Sequence, residues 1–459
     1  MRRTVALVAA LMLAGCGATM PEPRGPADLD VPPDFAADYR PPPGTAETWW
    51  KGFRDPELDT LVEQALADNL EIEAALARLR RAQALVRAER SDLLPSLDAT
   101  GSVDATIDSS GDTGTRANAG LLGFFQPDIS GRLSAEVRAA LARASASDYF
   151  VAEQRRLVAA AVANQYIELR RTGARLALLE QSTELQQQTL RIVTLRFEAG
   201  LSANLDVRRA AADLARTRAQ KGLLDLARAR SSHSLAVLTG DPPSEIPPLA
   251  VEAGIPEYEG GPPRGTPADL LRRRADLLVA EAELVEAAAL TGAERADLLP
   301  TLTIPGDITA GSGTIGGLFD DVFATIGAVI DLPLFDGGRR RAEIGAAEAE
   351  ADARFAEYRR TFLVALGEVE DSLVAIESYR DRNEALRRAI SESQTAFEQS
   401  NALYREGLAS LFDVLDAQRQ LIGSREALID SEAALASSVV SFYAAVGAQV
   451  VPDEIAVAE

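Results

Sequence analysis

Ala88-Glu89-Arg90-Ser91-Asp92-Leu93-Leu94-Pro95-Ser96-Leu97 returns about 205 residues later as Ala293-Glu294-Arg295-Ala296-Asp297-Leu298-Leu299-Pro300-Thr301-Leu302. Two further sets keep the same order at a shift of about 207. Gly131-Arg132 and Ala135-Glu136 return as Gly338-Arg339 and Ala342-Glu343, and Gly200-Leu201 with Asp206-Val207 return as Gly407-Leu408 with Asp413-Val414. The chain is one plan written twice, and the small difference in shift falls between the Pro and the Gly-Arg, where a loop absorbs it. The expected organisation is a first repeat over 55–240, a Pro-rich connector over 241–267, a second repeat over 268–450 and a tail over 451–459. No helix crosses such a run of prolines intact.

Beyond Pro95 the apolar period is two. Leu97, Ala99, Gly101, Val103, Ala105 and Ile107 alternate with Ser96, Asp98, Thr100, Ser102, Asp104 and Thr106, which is a strand over about 96–107 with one apolar and one polar face. A turn from Asp108 to Gly114 leads to a second strand over about 117–128. The second repeat has the same order, with strands expected over about 301–311 and 323–334 around a Gly-rich loop. Past Gly131 and Gly338 the period turns helical. Val162, Leu169, Leu176, Leu190 and Phe197, and then Val369, Ile376, Ile390, Phe397 and Tyr404, recur at sevens or multiples of seven, a coiled-coil stripe interrupted at Thr183 and Asn383. Pro is absent from Ser130 to Asp241 and from Phe335 to Val451, so long helices are expected over about 131–198, 204–240, 338–405 and 411–450. A helix from Gly131 to Glu198 reaches about 100 Å at 1.5 Å per residue, enough to bridge compartments.

Composition excludes several classes of function. Lys and Arg number 47 against 69 Asp and Glu, a net charge of −22, which argues against nucleic acid as a partner. Aromatics are 5%, and the abundance of Ala and Leu suits long, closely packed helices. One Cys and one His cannot build a zinc site or an intrachain disulfide. No Ser/His/Asp order and no phosphate-cradling loop ahead of a helix appears, and His233 stands between Ser232 and Ser234 in a helical stretch. No catalytic residue, metal site or cofactor is expected. Asp320-Asp321 reads as loop solvation, with Ca²⁺ contact as the alternative.

Arg2 and Arg3 followed by the apolar run from Thr4 to Leu13 read as a secretion signal over 1–15, too short to span a bilayer permanently. Leu13-Ala14-Gly15-Cys16 resembles the lipobox of bacterial lipoproteins, which implies a lipidated Cys16 as first mature residue; an ordinary signal peptide ending near a Cys is the alternative. Residues 16–54, rich in Pro, Gly and Ala, read as a tether.

Four strands of about eleven residues suit a tilted crossing of a bilayer. Four cannot close a barrel, and an open edge in lipid leaves backbone groups unpaired at several kcal/mol each, so copies of the chain must share one. Two copies give a filled eight-stranded barrel and three give twelve strands with a lumen. The alternative is a soluble sandwich, with the apolar rows turned to a core.

Trp49-Trp50-Lys51-Gly52-Phe53-Arg54-Asp55-Pro56-Glu57-Leu58-Asp59-Thr60-Leu61, Leu93-Leu94-Pro95-Ser96-Leu97, Leu332-Pro333-Leu334-Phe335-Asp336-Gly337-Gly338-Arg339 and Asp413-Val414-Leu415-Asp416-Ala417 together resemble the motifs of the TolC-like outer-membrane efflux channels. The likeness is to their lipoprotein branch, the NodT-type factors of tripartite resistance-nodulation-division systems. The resemblance implies an internally duplicated α+β membrane protein. Three chains, each giving four transmembrane strands, would form a 12-stranded barrel continued by a long α-helical coiled-coil tunnel through the periplasm. The implied partners are two further copies, outer-membrane lipid, a periplasmic membrane-fusion adaptor and an inner-membrane resistance-nodulation-division pump. The implied role is a passive conduit for small molecules. A type I protein-secretion channel and a lipid-anchored coiled-coil scaffold are the competing readings; the scaffold leaves the alternating strands unexplained.

Each long helix is expected to end at Gly200 or Gly407, and the resemblance makes the turns Gly200-Leu201 and Gly407-Leu408 the tips that dock the adaptor. Asp413 and Asp416 lie i,i+3 on one helix face. The resemblance suggests that three subunits set them as a carboxylate ring at the periplasmic gate; helix capping is the alternative for Asp413. By the same resemblance Tyr404 bonds Asp206 as a latch, against the alternative of a core Tyr. The best-known member carries an arginine in the turn where this chain has Ala409, and Arg208 or Arg209 substitutes only by analogy. The transported substrate is not legible.

Overall fold

The computed structural model describes residues 25–29, 31–32, 48–107, 109–244, 254–259, 273–312 and 321–447. The signal segment, Cys16, most of the tether and connector, Asp320 and the tail lie outside the described residues. After a 3₁₀ turn at Trp49–Phe53 come α1 (Pro56–Asp68), α2 (Leu70–Ser91), β1 (Ser96–Ile107), β2 (Thr113–Phe125), α3 (Arg132–Glu198) and α4 (Asn204–Thr239). The second copy gives α5 (Ala275–Ala296), β3 (Thr301–Ser312), β4 (Val322–Ile326), β5 (Val329–Asp331), α6 (Arg339–Arg405) and α7 (Leu411–Ala445). Contacts divide the chain into two compact units. The first gathers Leu76–Phe150 and Asp276–Thr361 with Met1–Asp30; the second gathers Val31–Ala75, Val151–Ala275 and Phe362–Glu459.

The first unit holds one antiparallel sheet in the order β1-β2-β3-β4, with β5 also on β3. Directly opposed residues share a face, so the register shows what each face carries. Leu97, Val103 and Ile107 of β1 fall on one face with Leu121 of β2, Ile308 of β3, Ile326 of β4 and Ile330 of β5. Asp98, Thr100, Ser102 and Asp104 fall on the other with Asn118, Asp307, Thr309 and Thr325, a largely polar face that also carries Leu122, Phe124 and Phe323. Every residue of β1 is exposed, so no second layer covers this strand among the described residues, and the packed two-sheet sandwich is excluded. Among the described residues the outer edges of β1 and of β4/β5 pair with nothing.

Two strand boundaries differ from the sequence expectation. β2 begins at Thr113, not 117, because Gly111 at φ +86° turns the chain tightly enough to pair Ile107 with Thr113; it ends at Phe125, two residues before Pro127. The strand expected over 323–334 is two short pieces. Gly327 N donates to Pro305 O at 2.9 Å, but Pro305 has no N–H to return the bond, and the ladder breaks between β4 and β5. Both helices leaving the sheet start on an aspartate cap: Asp128 accepts from Leu133 N and Ser134 N, and Asp336 from Gly338 N and Arg340 N.

In the second unit the chain enters through a cluster of rings. Trp49 stacks on Tyr443 at 5.7 Å, Tyr258 Oη bonds Tyr443 Oη at 2.6 Å, and a Cβ on Gly52 would strike the Tyr258 ring. Asp55 then caps α1, with Pro56 at its first position. Beneath lies a buried polar chain. Arg170 donates to Gly254 O at 3.1 and 2.9 Å and to Tyr166 Oη at 2.6 Å, and Tyr166 Oη donates to Asp55 Oδ2 at 2.8 Å. Burial, reinforced by Asp55, holds the Tyr166 hydroxyl far above its ordinary pKa. α4 ends at Gly240 (φ +83°), and α7 stops at Ala445 rather than near 450, with Gly447 (φ +64°) just beyond.

Candidate functional site

The two helical hairpins of the second unit turn on the same backbone device. Gly200 sits at φ +75°, its N–H bonding Phe197 O while Leu201 N bonds Arg196 O at 2.7 Å. Gly407 sits at φ +76°, its N–H bonding Tyr404 O while Leu408 N bonds Leu403 O at 2.8 Å. This is the Schellman closure, which needs a residue free to adopt the left-handed region. Both turns leave a leucine standing in solvent, Leu201 at 66% and Leu408 at 77% exposure.

Under the turns lies an apolar cluster of Val193, Phe397, Tyr404, Leu411, Val414, Leu415 and Leu421, flanked by Val207 of α4. It knits α3, α6 and α7 together. Tyr404 is buried in it at 5% exposure, and its Oη has no hydrogen-bond partner among the described residues. The Tyr404–Asp206 hydrogen bond expected from the family resemblance is therefore not made. Asp206 is approached instead by Arg209, at 4.0 Å. Burial raises the Tyr404 hydroxyl above its ordinary pKa; Arg196 opposes this and the Asp206 charge adds to it.

Arg196 is the residue the sequence reading missed. Its guanidinium lies 4.9 Å from the Tyr404 ring centre, and its Nη1 donates to Arg405 O at 3.1 Å. One side chain of α3 thus grips both the ring and the last turn of α6, through a cation–π contact of order 0.5–2 kcal/mol and a charge-assisted hydrogen bond. The available signal was the repeat itself. Arg196 matches Leu403 at the shift of 207, so a charge stands where the other copy has a leucine.

Asp413 closes a capping box: its Oδ2 accepts from Ser410 N at 2.9 Å and Oγ at 2.7 Å, and Ser410 Oγ accepts from Asp413 N. These bonds hold its carboxyl below the usual carboxylate range. Asp416 lies one turn on, half-buried, accepting from Gln420 Nε2 at 3.0 Å. Among the described residues no group of three His, Cys, Asp or Glu side chains converges on a place for a metal ion.

A twice-written chain in which amphipathic strands feed long helices, turned back at paired glycine hairpins, defines a channel subunit rather than a binding pocket. The chain belongs to the outer membrane efflux protein family, whose model matches residues 61–241 and 266–448. It is 30% identical to the pyoverdine export outer membrane protein OpmQ of Pseudomonas aeruginosa, over 97% of each chain. It is 29% identical to the probable efflux pump outer membrane protein TtgC of Pseudomonas putida, over 96% of this chain and 94% of that one. Its fold matches the solved outer-membrane channel OprN with a TM-score of 0.86 at 29% identity, over 94% of this chain and 99% of the other. The protein is an efflux channel of the outer membrane.

Proposed function

We propose that three copies of this chain close a 12-stranded barrel in the outer membrane, continued by a coiled-coil tunnel in the periplasm. The conduit passes small molecules handed on by an inner-membrane pump of the resistance-nodulation-division type through a membrane-fusion adaptor. The observation that carries this is the sheet, with an apolar face, a polar face and two unsatisfied edges. In hydrocarbon such a sheet is tolerated only when closed, and twelve strands leave a water-filled bore lined by the polar rows. The names of the export and efflux-pump relatives support the direction and scale of the cargo. Cleavage of residues 1–15 and acylation of Cys16 supply the anchor in outer-membrane lipid, two or more acyl chains being needed for lasting attachment.

The hairpin turns form the gate. Gly200, Leu201, Gly407 and Leu408 present exposed leucines to the adaptor, and the Tyr404 cluster, with Arg196 across it, holds the mouth narrow. Asp416, with Asp413 beside it, gives the mouth a ring of negative charge that favours cations. Native mass spectrometry of the detergent-solubilised protein, followed by single-channel recording in planar bilayers, tests the reading. A trimer with small, cation-selective closed-state conductance is expected. A monomer that stays in solution without detergent after removal of the lipid overturns it.

A further inference from the structure

Within the first unit the two copies meet along a seam. β2 pairs β3, with Gly123 opposite Gly306 and Ala117 opposite Ser312. Beside the strands, α3 meets α5 and the turn after it through two ion pairs, Arg132 Nε to Asp297 Oδ1 at 3.6 Å and Arg143 Nε to Glu286 Oε1 at 2.9 Å. A shift of 205 carries Asp92 onto Asp297 and Arg81 onto Glu286, and a shift of 207 carries Arg132 onto Arg339 and Arg143 onto Glu350. The first pair therefore reappears unchanged on the outer sides of the chain, as Arg339 on α6 and Asp92 in the turn just after α2. The second reappears as Glu350 and Arg81, with the signs exchanged and attraction preserved.

Arg339 and Glu350 pair only along their own helix, with Glu343 at 2.8 Å and Arg354 at 2.9 Å, and two observations show that the outer groups stand more open than their counterparts. Side-chain exposure is 24% for Arg132 and 44% for Asp297 in the seam, but 78% for Arg339. Asp92 and Arg81 are exposed, and neither enters an ion pair among the described residues. The two hairpins also share one register under the same shifts. Leu97 opposite Gly123 becomes Leu302 opposite Ile330, and Gly101 opposite Ala119 becomes Gly306 opposite Ile326. Mapping the seam outward keeps Leu97, Val103, Ile107, Ile308, Ile326 and Ile330 on one face.

We infer that the internal seam is the template for the contact with a second copy of this chain: the β4/β5 edge pairs with the partner copy's β1, placing Ile330 opposite Gly101 and Ala324 opposite Ile107, while Arg339 and Glu350 meet Asp92 and Arg81. The contact joins unlike edges, so it is heterologous and closes into a ring. It rests on the trimer reading and adds its register and its charge code.

The test uses full-length protein carrying I330C with G101C. Opposed residues across antiparallel strands stand close enough for a disulfide, so oxidation should yield covalent dimers and trimers on non-reducing gels. Either single variant should give none, and I330C with T100C, on the opposite face, should give none. In a second arm, D92R should lower the temperature at which the assembly dissociates, and adding R339D should restore it. An intact trimer that links only in a shifted register, or not at all, overturns the inference, as does failure of R339D to rescue D92R. A monomeric native mass instead rejects the trimer reading itself.

Discussion

The hairpin turn at Gly200 and the one at Gly407 share a backbone and differ in almost everything around it. The first is followed by a helix whose N-cap, Ala203, makes no side-chain bond, whereas the second is followed by Ser410 and Asp413 in a reciprocal capping box. Phe197 in the first is 42% exposed, whereas its counterpart Tyr404 is buried. Duplication fixed the turn, because a left-handed residue closes a helix in the same way wherever it stands. The side chains then diverged. The second turn became the packed one, and the first supplies Arg196 to hold it.

The sharpest break between the turns is at Tyr404. Tyr404→Ala should cost about 3 kcal/mol or more, as truncation of a buried ring does, and enlarge the closed-state conductance; Phe197→Ala should cost well under half of that. Equal shifts in thermal melting would erase the distinction. Next is Arg196→Ala, expected to cost about 1–2 kcal/mol through lost ring and carbonyl contacts and to raise conductance, while Tyr404→Phe leaves conductance unchanged because the hydroxyl bonds nothing. An increase with Tyr404→Phe would restore the hydroxyl latch.

Gly200→Ala and Gly407→Ala should each cost about 1–2 kcal/mol, and by similar amounts, since both force a Cβ into the left-handed region; a large inequality would mean that the turns are not equivalent. Ser410→Ala should cost about 1 kcal/mol, with a smaller gain from Ala203→Ser. The sign of the pH effect follows from Asp413. Its pKa is lower folded than unfolded, so its contribution is present above the ordinary carboxylate range and fades as pH falls through the lowered value. Asp413→Asn should flatten that acid-side loss in a melting series. The smallest effect is expected from Asp416→Ala, a reduced cation preference read from the reversal potential; an unaltered potential removes Asp416 from the gate.

Most of the fold was legible because it repeats and because strand and helix leave different periods. The alternation from Leu97 to Ile107 gave the faces of the sheet, and the distance between Pro127 and the next proline allowed α3 its full length. The break between β4 and β5 was not legible from the strand it interrupts. Its cause, Pro305, lies in the neighbouring strand and acts only once the two are paired. Arg196 was hidden for a like reason: one turn from the end of a helix a guanidinium looks solvated until the opposite helix brings a ring beneath it. Tyr166 and Arg170 read as members of a helix, and only the fold gives them Asp55 and Gly254. Asp413 was legible only as an alternative cap, from the preference of carboxylates for helix starts; its place three residues behind the Ser410 cap was not.

Pro305 also makes the two hairpins unequal in self-sufficiency. β1 and β2 carry an unbroken set of rungs, whereas the later hairpin has a gap and leans on β2 for alignment. A break in the β2–β3 pairing would therefore loosen the later hairpin more than the earlier one.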